Sequence, residues 1–319
     1  MGKYTLAIHG GAGTITRTML TQEVENDYKN ALNLALIAGN DILKKGGIAA
    51  DAVEAAVKVM EDSPLFNAGK GAVYSSEGTH EMECSIMCGK TLQAGAVAGI
   101  KLIKNPIALA RKVLYDENFV YISGEGAEKY AQKYKLEFVE NSYFDTPHRY
   151  EQWQAVKDTD LVLLDHDADN LVNDGKGGDY KFGTAGAVAM DSYGNLAAAT
   201  STGGLTNKKF GRLGDSSMIG GGTYANNKTC AISCTGYGEY FIRSVVAHDI
   251  SCLMEYKGLS LKQACEYVVK DKLVKIGGEG GLCAVDSLGN IELCFNSEGM
   301  YRGQISSDDM KFHVAIYES

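Results

Sequence analysis

One stretch of the chain, residues 184–202, constrains the fold more than any other. It reads TAGAVAMDSYGNLAAATST, which is two runs of small apolar residues joined by an Asp-Ser-Tyr-Gly-Asn turn. A turn of this composition between two apolar runs is typical of a β-hairpin with both strands buried. A similar pattern, AVDSLGNIE over residues 284–292, predicts a second hairpin of the same kind. The fold must therefore bury two such hairpins.

The order of elements around these hairpins predicts the fold class. In the first half, strands are predicted at 3–9, 72–75, 81–87 and 92–100. Helices are predicted at 21–45, 49–62, 106–115, 126–134 and 148–157. After the 184–202 hairpin, the second half has predicted strands at 229–234, 282–286, 291–296 and 312–317, and predicted helices at 238–256 and 260–274. Strands and helices are segregated rather than alternating, which favours antiparallel sheets between helical layers. We predict an α+β fold, a four-layer α/β/β/α sandwich of two mainly antiparallel sheets, in a single domain over residues 1–319.

Charge and composition argue against several classes of function. The formal net charge of −9 disfavours nucleic acid, whose phosphates require clustered Lys and Arg. No apolar run approaches the roughly 20 residues that a membrane helix needs. The first residues lack the long apolar region and cleavage site of an export signal. We therefore expect a cytoplasmic protein that acts on a small molecule, with its eight cysteines reduced.

Two sequence features superficially suggest metal sites. The C-x-x-x-C pairs at Cys84/Cys88 and Cys230/Cys234 would lie on one face of a strand, too far apart to share an ion. The acidic segment 158–183 contains Asp-x-Asp-x-Asp, but Asn170 and Lys176 stand where a calcium loop requires glycine and glutamate. We interpret the cysteines as buried thiols and residues 158–183 as a flexible linker.

Threonine beside glycine is the pattern that carries chemistry. It occurs at Gly183-Thr184, Thr202-Gly203 and Thr235-Gly236, whereas the signatures HExxH, GxSxG and the phosphate-binding loop do not occur. A threonine hydroxyl is a poor nucleophile unless a base lies beside it, and a free α-amine is such a base near neutral pH. Thr184 gains that amine only if the Gly183–Thr184 peptide is cut. The polar linker before Thr184 and the apolar strand after it predict such a self-cleavage.

Seven motifs occur in a fixed order from Tyr4 to beyond Arg302: HGGAG, PLFNAGKGAV, KTLQAGAVAG, GTAGAVAMDSYGNLAAATSTGG, GRLGDSSMIGGGTYA, CTGYGE and SEGMYRG. Together they resemble the plant-type L-asparaginase and isoaspartyl aminopeptidase family of N-terminal-nucleophile hydrolases. The resemblance implies cleavage between Gly183 and Thr184 into an α chain (1–183) and a β chain (184–319) that stay together. It implies a homodimer of these αβ units, a heterotetramer, with no organic cofactor.

The resemblance also implies what the enzyme does and which residues do it. It would hydrolyse L-asparagine to L-aspartate and ammonia, and release aspartate from β-aspartyl dipeptides. Thr184 would be the nucleophile that forms the acyl-enzyme, Thr202 would tune its hydroxyl and Asn67 would help to position it. Thr235 and the Gly236 backbone N–H would form the oxyanion hole.

Two further sites follow from the same resemblance. Arg212 would bind the α-carboxylate of the substrate and Asp215 its α-ammonium group, assisted by the backbone of Gly236 and Gly238. Six backbone carbonyls of one loop would bind a structural sodium ion, those of Met60, Glu61, Ser63, Phe66, Ala68 and Lys70.

Besides Lys70, which is unusual in the sodium-binding segment although its carbonyl remains available, the chain departs from the family pattern at three positions. Glu83 and Cys88 stand where relatives usually carry aspartates, and Ala185 follows the nucleophile where valine is usual. We interpret none of the three as part of the catalytic set. His9 is interpreted as a hydrogen-bonded structural histidine rather than a catalyst.

Two alternatives remain open: another enzyme of the same fold, or a protein that is not an enzyme. A glycosylasparaginase would release aspartate from N4-β-N-acetylglucosaminyl-asparagine, but the missing export signal argues against it. A protease of the same fold fits less well, because the Arg212 and Asp215 pattern suits a small substrate. The second alternative is an unprocessed, non-catalytic homologue that binds an amino acid. The preference between asparagine and β-aspartyl peptides is not readable from the sequence.

Overall fold

Two β-sheets form the framework of the protein. The computed structural model describes residues 2–18, 20–162 and 183–318, so most of the predicted linker, residues 163–182, lies outside the described residues. The twelve described strands are β1 (Thr5–Gly13), β2 (Met82–Cys88), β3 (Ala94–Ile100), β4 (Tyr121–Ser123), β5 (Ala185–Met190), β6 (Leu196–Thr202), β7 (Thr223–Ala225), β8 (Cys230–Gly236), β9 (Gly280–Asp286), β10 (Ile291–Phe295), β11 (Gly299–Ser306) and β12 (His313–Tyr317).

The larger sheet has eight strands in the order β12-β11-β1-β5-β6-β2-β3-β4, and the smaller has four in the order β10-β9-β8-β7. Neighbouring strands are antiparallel in every described pair except β3 and β4, which are parallel. The sheets pack face to face over a buried apolar layer that includes Ala7 and Val188 from the larger sheet and Ala231 and Val285 from the smaller.

Helices cover the outer face of each sheet. They are α1 (Gln22–Lys44), α2 (Ala49–Asp62), α3 (Pro106–Val113), α4 (Gly124–Lys133), α5 (Pro147–Val156), α6 (Gly238–Ser244), α7 (Val246–Lys257), α8 (Leu261–Glu266) and α9 (Leu273–Lys275). The first three share one apolar core with the larger sheet, and α6 to α9 share another with the smaller sheet. The predicted α/β/β/α order of layers is therefore confirmed.

The two predicted hairpins have the same turn chemistry. Oδ1 of Asp191 accepts hydrogen bonds from the backbone N–H groups of Tyr193 and Asn195. Oδ1 of Asp286 accepts from those of Leu288 and Asn290 in the β9–β10 turn. An aspartate side chain that binds the backbone two and four residues later fixes a tight turn, so the repeated Asp-Ser-x-Gly-Asn pattern predicted both hairpins correctly.

Several elements differ from the sequence-based prediction. Strand β1 continues past His9 to Gly13, because its glycines pair with β11 beyond a bulge between His9 and Gly11. Strand β11 was not predicted, since its glycines and Arg302 hide the apolar alternation of GMYRGQIS. Residues 72–75 form no strand; within them Ser75 makes only an isolated bridge to Lys208.

The predicted long helix at 238–256 is two helices. Val245 between them has a left-handed backbone (φ 49°), which an α-helix cannot contain. The predicted helix at 260–274 begins at a capping box on Ser260 and passes through a π-helical segment, Tyr267–Lys272. Neither irregularity is marked by proline or glycine in the sequence.

All eight cysteines are described, and all are free thiols. Six are buried as predicted, whereas Cys88 and Cys252 are half-buried. Within residues 2–18, 20–162 and 183–318, no group of His, Cys, Asp and Glu side chains is arranged to hold a metal ion. None of the described helices combines the length and apolar character that crossing a membrane requires.

Candidate active site

One narrow cleft brings together the residues predicted to act. Thr184 stands immediately before β5 and Thr202 ends β6, and the antiparallel pairing of these strands makes them neighbours. The cleft has a volume of about 20 Å³, and Gly183 is among the residues that line it. With Gly183, eight of the predicted site residues line it, the others being Asn67, Thr184, Thr202, Arg212, Asp215, Thr235 and Gly236.

A direct hydrogen bond links the two hairpin threonines. Oγ1 of Thr184 donates to Oγ1 of Thr202 at 3.2 Å, and both residues are buried. The Thr202 hydroxyl also accepts the backbone N–H of Gly204 at 3.0 Å. These contacts fix the direction in which the Thr184 hydroxyl points, so it is a preorganised group rather than a freely rotating one.

Asn67 connects the segment after Thr202 to a second loop. Its Nδ2 donates to the carbonyl of Gly204 at 2.8 Å, and its Oδ1 accepts the backbone N–H of Val73 at 3.1 Å. The backbone N–H of Gly203 donates to the Asn67 carbonyl at 3.0 Å. Asn67 thus holds residues 203–204 beside the cleft.

Thr235 and Gly236 reach the cleft from the smaller sheet, at the end of β8. Within the described part of the chain, the buried Thr235 Oγ1 has no hydrogen-bond partner. It lies 3.3 Å from the position that a β-carbon on Gly183 would occupy. At Gly236 (φ 149°), a β-carbon would lie 2.4 Å from the carbonyl oxygen of Glu279, so only glycine fits. A buried donor without a partner is what an oxyanion hole offers before a substrate binds.

Arg212 is held by a carboxylate that the sequence analysis did not include. Its Nε and Nη2 donate to the two oxygens of Glu239 at 2.9 Å and 2.8 Å. This two-pronged contact orients the planar guanidinium and leaves three of its five N–H groups for another ligand. Burial acts to raise the pKa of Glu239, but its hydrogen bonds and charge interaction with Arg212 outweigh burial and lower that pKa.

Asp215 is a buried carboxyl group with unused hydrogen-bonding capacity. Only 4% of the residue is exposed, and no described group bonds to its Oδ2. Burial raises the pKa of Asp215 to about 7, and the nearby Glu83 charge acts in the same direction. Gly238 does not line the cleft, but a β-carbon there would lie 2.9 Å from Asp215 Oδ1. Its lack of a side chain therefore makes room for the Asp215 carboxyl.

His9 contacts the predicted nucleophile through the backbone. Its Nδ1 lies 3.0 Å from the carbonyl oxygen of Thr184, and its Nε2 lies 2.9 Å from Oγ of Ser233. Because a carbonyl oxygen only accepts, Nδ1 carries the proton and Nε2 accepts from Ser233. Burial lowers the pKa of His9 to about 3, so the ring is neutral at ordinary pH. His9 is hydrogen-bonded as predicted, but the sequence did not reveal that Thr184 is its partner.

A chain of buried hydroxyls continues from His9 through the sheet interface. The Oγ of Ser233 lies 2.7 Å from Oγ1 of Thr200, which accepts from Thr223 Oγ1 at 2.6 Å. All of these side chains are buried. The chain therefore connects β1, β6, β7 and β8, and ties the two sheets together near Thr184.

Of the three departures from the family pattern, Glu83 reaches the site. It lies opposite Thr202 across the β2–β6 pairing, and its carboxylate accepts the backbone N–H of Gly214 at 2.6 Å. The pairing of β2 with β6 brings the Glu83 carboxylate to the 212–217 loop, where it bonds to Gly214 and Ser217, which are not among the predicted site residues. Cys88 lies at the other end of β2, opposite Ala197, and Ala185 is a buried residue of β5.

The end of α2 and the loop that follows it contain the six predicted sodium ligands. Met60 and Glu61 belong to the helix, and the other four belong to the loop. Gly69 (φ 53°) and Gly71 bring its backbone close together: a β-carbon on Gly69 would lie 2.2 Å from the carbonyl oxygen of Glu61. One on Gly71 would lie 2.1 Å from the carbonyl oxygen of Phe66. The ammonium group of Lys70 donates to the carbonyl of Tyr143. Tightly curled backbone with neutral carbonyl oxygens fits an oxygen-preferring cation such as sodium.

Known proteins resemble this chain over nearly its whole length. Residues 2–315 match the family described as asparaginase. The chain is 51% identical to the isoaspartyl peptidase of Salmonella typhimurium, with 95% of each chain covered. It is 50% identical to the isoaspartyl peptidase of Escherichia coli, covering 95% of this chain and 92% of that one. It is 39% identical to the plant-type L-asparaginase of Pyrococcus abyssi, covering 92% and 94%. The chain therefore belongs to the asparaginase family.

Proposed function

We propose that this protein is a self-cleaving amidohydrolase that acts on L-asparagine and on β-aspartyl dipeptides through an N-terminal Thr184. The observation that carries the proposal is one cleft containing the oriented Thr184 hydroxyl, the unpaired Thr235 hydroxyl and the pair of charged groups at Arg212 and Asp215. These are a nucleophile, an oxyanion donor and partners for both ends of an amino acid.

Self-cleavage begins with attack by Thr184 Oγ1 on the carbonyl carbon of Gly183. The peptide C–N bond breaks, its nitrogen becomes the α-amine of Thr184, and the ester left on the hydroxyl is hydrolysed by water. The Thr235 hydroxyl lies beside Gly183, 3.3 Å from where a β-carbon of that residue would be, and its lack of a described partner leaves it available to a developing oxyanion. Departure of Gly183 from the cleft would also enlarge it for substrate.

In turnover, the new α-amine takes the proton of the Thr184 hydroxyl, which attacks the side-chain carbonyl of the substrate. Thr235 and the Gly236 N–H stabilise the oxyanion. Ammonia leaves from asparagine, or an amino acid from a β-aspartyl dipeptide. Water then hydrolyses the ester and L-aspartate departs.

Substrate choice follows from charge. The three remaining N–H groups of Arg212 suit an α-carboxylate, and ionised Asp215 suits an α-ammonium group. Both groups are free in asparagine and in a β-aspartyl peptide, so both substrates fit. The names of the relatives cover the same two activities, isoaspartyl peptidase for the bacterial proteins and L-asparaginase for the Pyrococcus protein.

We also propose that the end of α2 and the loop after it hold a sodium ion through the carbonyls of Met60, Glu61, Ser63, Phe66, Ala68 and Lys70. The ion would supply positive charge that stabilises the curled backbone. Asn67 belongs to this loop and bonds to Gly204, so an ordered loop keeps the segment after Thr202 in place. A cytoplasmic location is also a proposal, as is the dimer of αβ units that the resemblance to the family implies.

Denaturing electrophoresis of the purified chain tests the main proposal. We expect two bands, with the smaller fragment beginning at Thr184 by N-terminal sequencing, and release of L-aspartate from both substrates. Thr184→Ala should remain one band and release no L-aspartate, whereas Thr184→Ser, which keeps a hydroxyl, should retain part of both reactions. A wild-type chain that stays intact and inactive would instead support the non-catalytic homologue.

A further inference from the structure

We propose that Glu83 is a positioning residue that determines how tightly the aspartyl group of the substrate is bound, by holding the loop of residues 212–217. The inference rests on the proposed function above, since it concerns the same cleft. We call residues 212–217 the clamp loop, because they include both Arg212 and Asp215.

The carboxylate of Glu83 binds the clamp loop at residues on both sides of Asp215. One oxygen accepts the backbone N–H of Gly214 at 2.6 Å, and the other accepts the hydroxyl of Ser217. Glu83, Gly214 and Ser217 are all buried, so water does not compete for these contacts. A single side chain therefore fixes the residue before Asp215 and the second residue after it.

Neighbouring groups complete the attachment of the loop. Ser85 projects from the same face of β2 and donates to the carbonyl of Ser216 at 2.6 Å. The hydroxyl of Tyr121 lies 2.6 Å from that of Ser217. The carbonyl of Asp215 accepts the N–H groups of Met218 and Gly222 at 2.9 Å and 3.1 Å. The backbone of Asp215 is thus held while its Oδ2 has no described partner, as expected of a group prepared for a ligand.

Glu83 also acts on Asp215 through charge. The ionisable groups that interact with Asp215 are Glu83 from β2, Arg212 from its own loop, Glu239 from α6 and Cys234 from β8. Glu83 acts in turn on the buried Lys208, whose ammonium group donates to the carbonyl of Glu81. Burial is the main cause of the raised pKa of Asp215, and the negative charge of Glu83 raises that pKa further. Removing that charge therefore lowers the pKa of Asp215.

Glu83→Gln tests the inference, because it preserves the shape of the side chain and removes its charge. With a β-aspartyl dipeptide, we expect KM to rise about tenfold and kcat to change less than about threefold, as the loss of charged hydrogen bonds predicts. Inhibition by L-aspartate should weaken by a similar factor. Inhibition by L-aspartate should weaken at acid pH as Asp215 gains a proton, and this acidic limb of the pH profile should shift to lower pH in the variant. A purely structural defect would not produce that shift.

Glu81→Gln is the matched control. It removes the same charge two residues earlier, where the Glu81 side chain pairs with Lys101 instead of the clamp loop. KM and the pH dependence of L-aspartate inhibition should stay as in the wild type. Glu83→Asp retains the charge but shortens the side chain, so it should raise KM without shifting the acidic limb.

Ser217→Ala keeps the test decisive if Glu83→Gln does not fold. It removes one of the two contacts and leaves the Glu83 charge, so KM should rise about threefold to tenfold with no shift of the acidic limb. Wild-type KM in both Glu83→Gln and Ser217→Ala, or in Ser217→Ala alone if the first does not fold, would overturn this inference and leave the proposed function intact. A wild-type protein that does not hydrolyse the dipeptide would overturn both.

Discussion

The imidazole Nδ1 of His9 donates a hydrogen bond to the backbone carbonyl of Thr184 over 3.0 Å. The ring is neutral because burial lowers the pKa of His9 to about 3, so this bond is present throughout the pH range in which the enzyme would work. His9 therefore holds the backbone of Thr184, and its two ring nitrogens are occupied by the Thr184 carbonyl and by Ser233.

His9→Asn should retain much of the activity, because its side-chain amide can donate from nearly the position of Nδ1. His9→Leu removes the donor and should lower kcat by roughly tenfold to a hundredfold, the effect of misplacing a reacting group by a fraction of an ångström to 1 Å. Both variants are compared by steady-state kinetics and by the rate of self-cleavage. Equal kcat for His9→Leu and wild type would contradict a positioning role.

Thr235 supplies the hydroxyl that has no described partner in the cleft. Thr235→Val has nearly the same shape without the donor, so kcat should fall by about a hundredfold to a thousandfold, as for other oxyanion-hole donors. KM should change little, because the charge on the oxygen develops only in the transition state. Thr235→Ser restores the hydroxyl and should recover most of the rate. Loss of affinity without loss of kcat would assign Thr235 to substrate binding instead.

Glu239 orients the guanidinium of Arg212 through two hydrogen bonds of 2.9 Å and 2.8 Å. Glu239→Gln can accept at only one oxygen, so the guanidinium loses one of its two anchors. We expect KM for L-asparagine to rise about fivefold to tenfold, consistent with the loss of one charge-assisted hydrogen bond. Glu255→Gln, at an exposed position of α7, serves as a charge-matched control. An unchanged KM in Glu239→Gln would show that Arg212 needs no such support.

The raised pKa of Glu61 predicts that the stability of the folded protein depends on pH. Burial raises the pKa of Glu61 to about 8, from an ordinary value near 4.5. Between these values the folded protein keeps the proton that the unfolded chain releases. The contribution of Glu61 to stability is therefore complete below about pH 4.5 and is lost as pH rises toward and through 8, by up to about 1.4 kcal/mol per pH unit.

The Glu61→Gln side chain has no proton to lose. Its free energy of unfolding should therefore rise relative to that of the wild type as the pH rises from about 5 to about 8. Urea unfolding of both proteins at several pH values measures the difference in the free energy of unfolding. Comparing the two proteins cancels the contributions of Asp215 and His9, which are common to both. A difference that does not vary with pH would contradict the raised pKa.

The hairpin and its threonines were predictable, because their relationship is local. Two apolar runs around an Asp-Ser-Tyr-Gly-Asn turn pair in one way, and that pairing places Thr184 beside Thr202. The four layers were predictable for a related reason, since segregated strands and helices have few ways to cover one another. Thr235 was different: it comes from the other sheet, and only the resemblance to a family connected it with Thr184.

Glu83 and Glu239 could not be placed from the sequence. Glu83 occurs within the apolar run MECSIM, where the sequence does not say which loop would cover its side chain. Its partners lie 131 and 134 residues away, at Gly214 and Ser217. Glu239 lies in the first turn of α6, a position where an acidic residue is commonly explained by the helix dipole. The break at Val245 and strand β11 were missed because tertiary packing overrides the local preferences of those residues.

The bond between His9 and Thr184 has a consequence for the self-cleavage proposed above. A newly made chain end is ordinarily the loosest part of a protein, because it has lost a covalent neighbour. The contact from His9 is made to the carbonyl of Thr184, on the opposite side of the residue from the peptide that would break. The hydroxyl contact to Thr202 is likewise independent of that peptide. Thr184 would thus become a terminus without losing these two anchors, with its amine released and its hydroxyl still directed at the cleft.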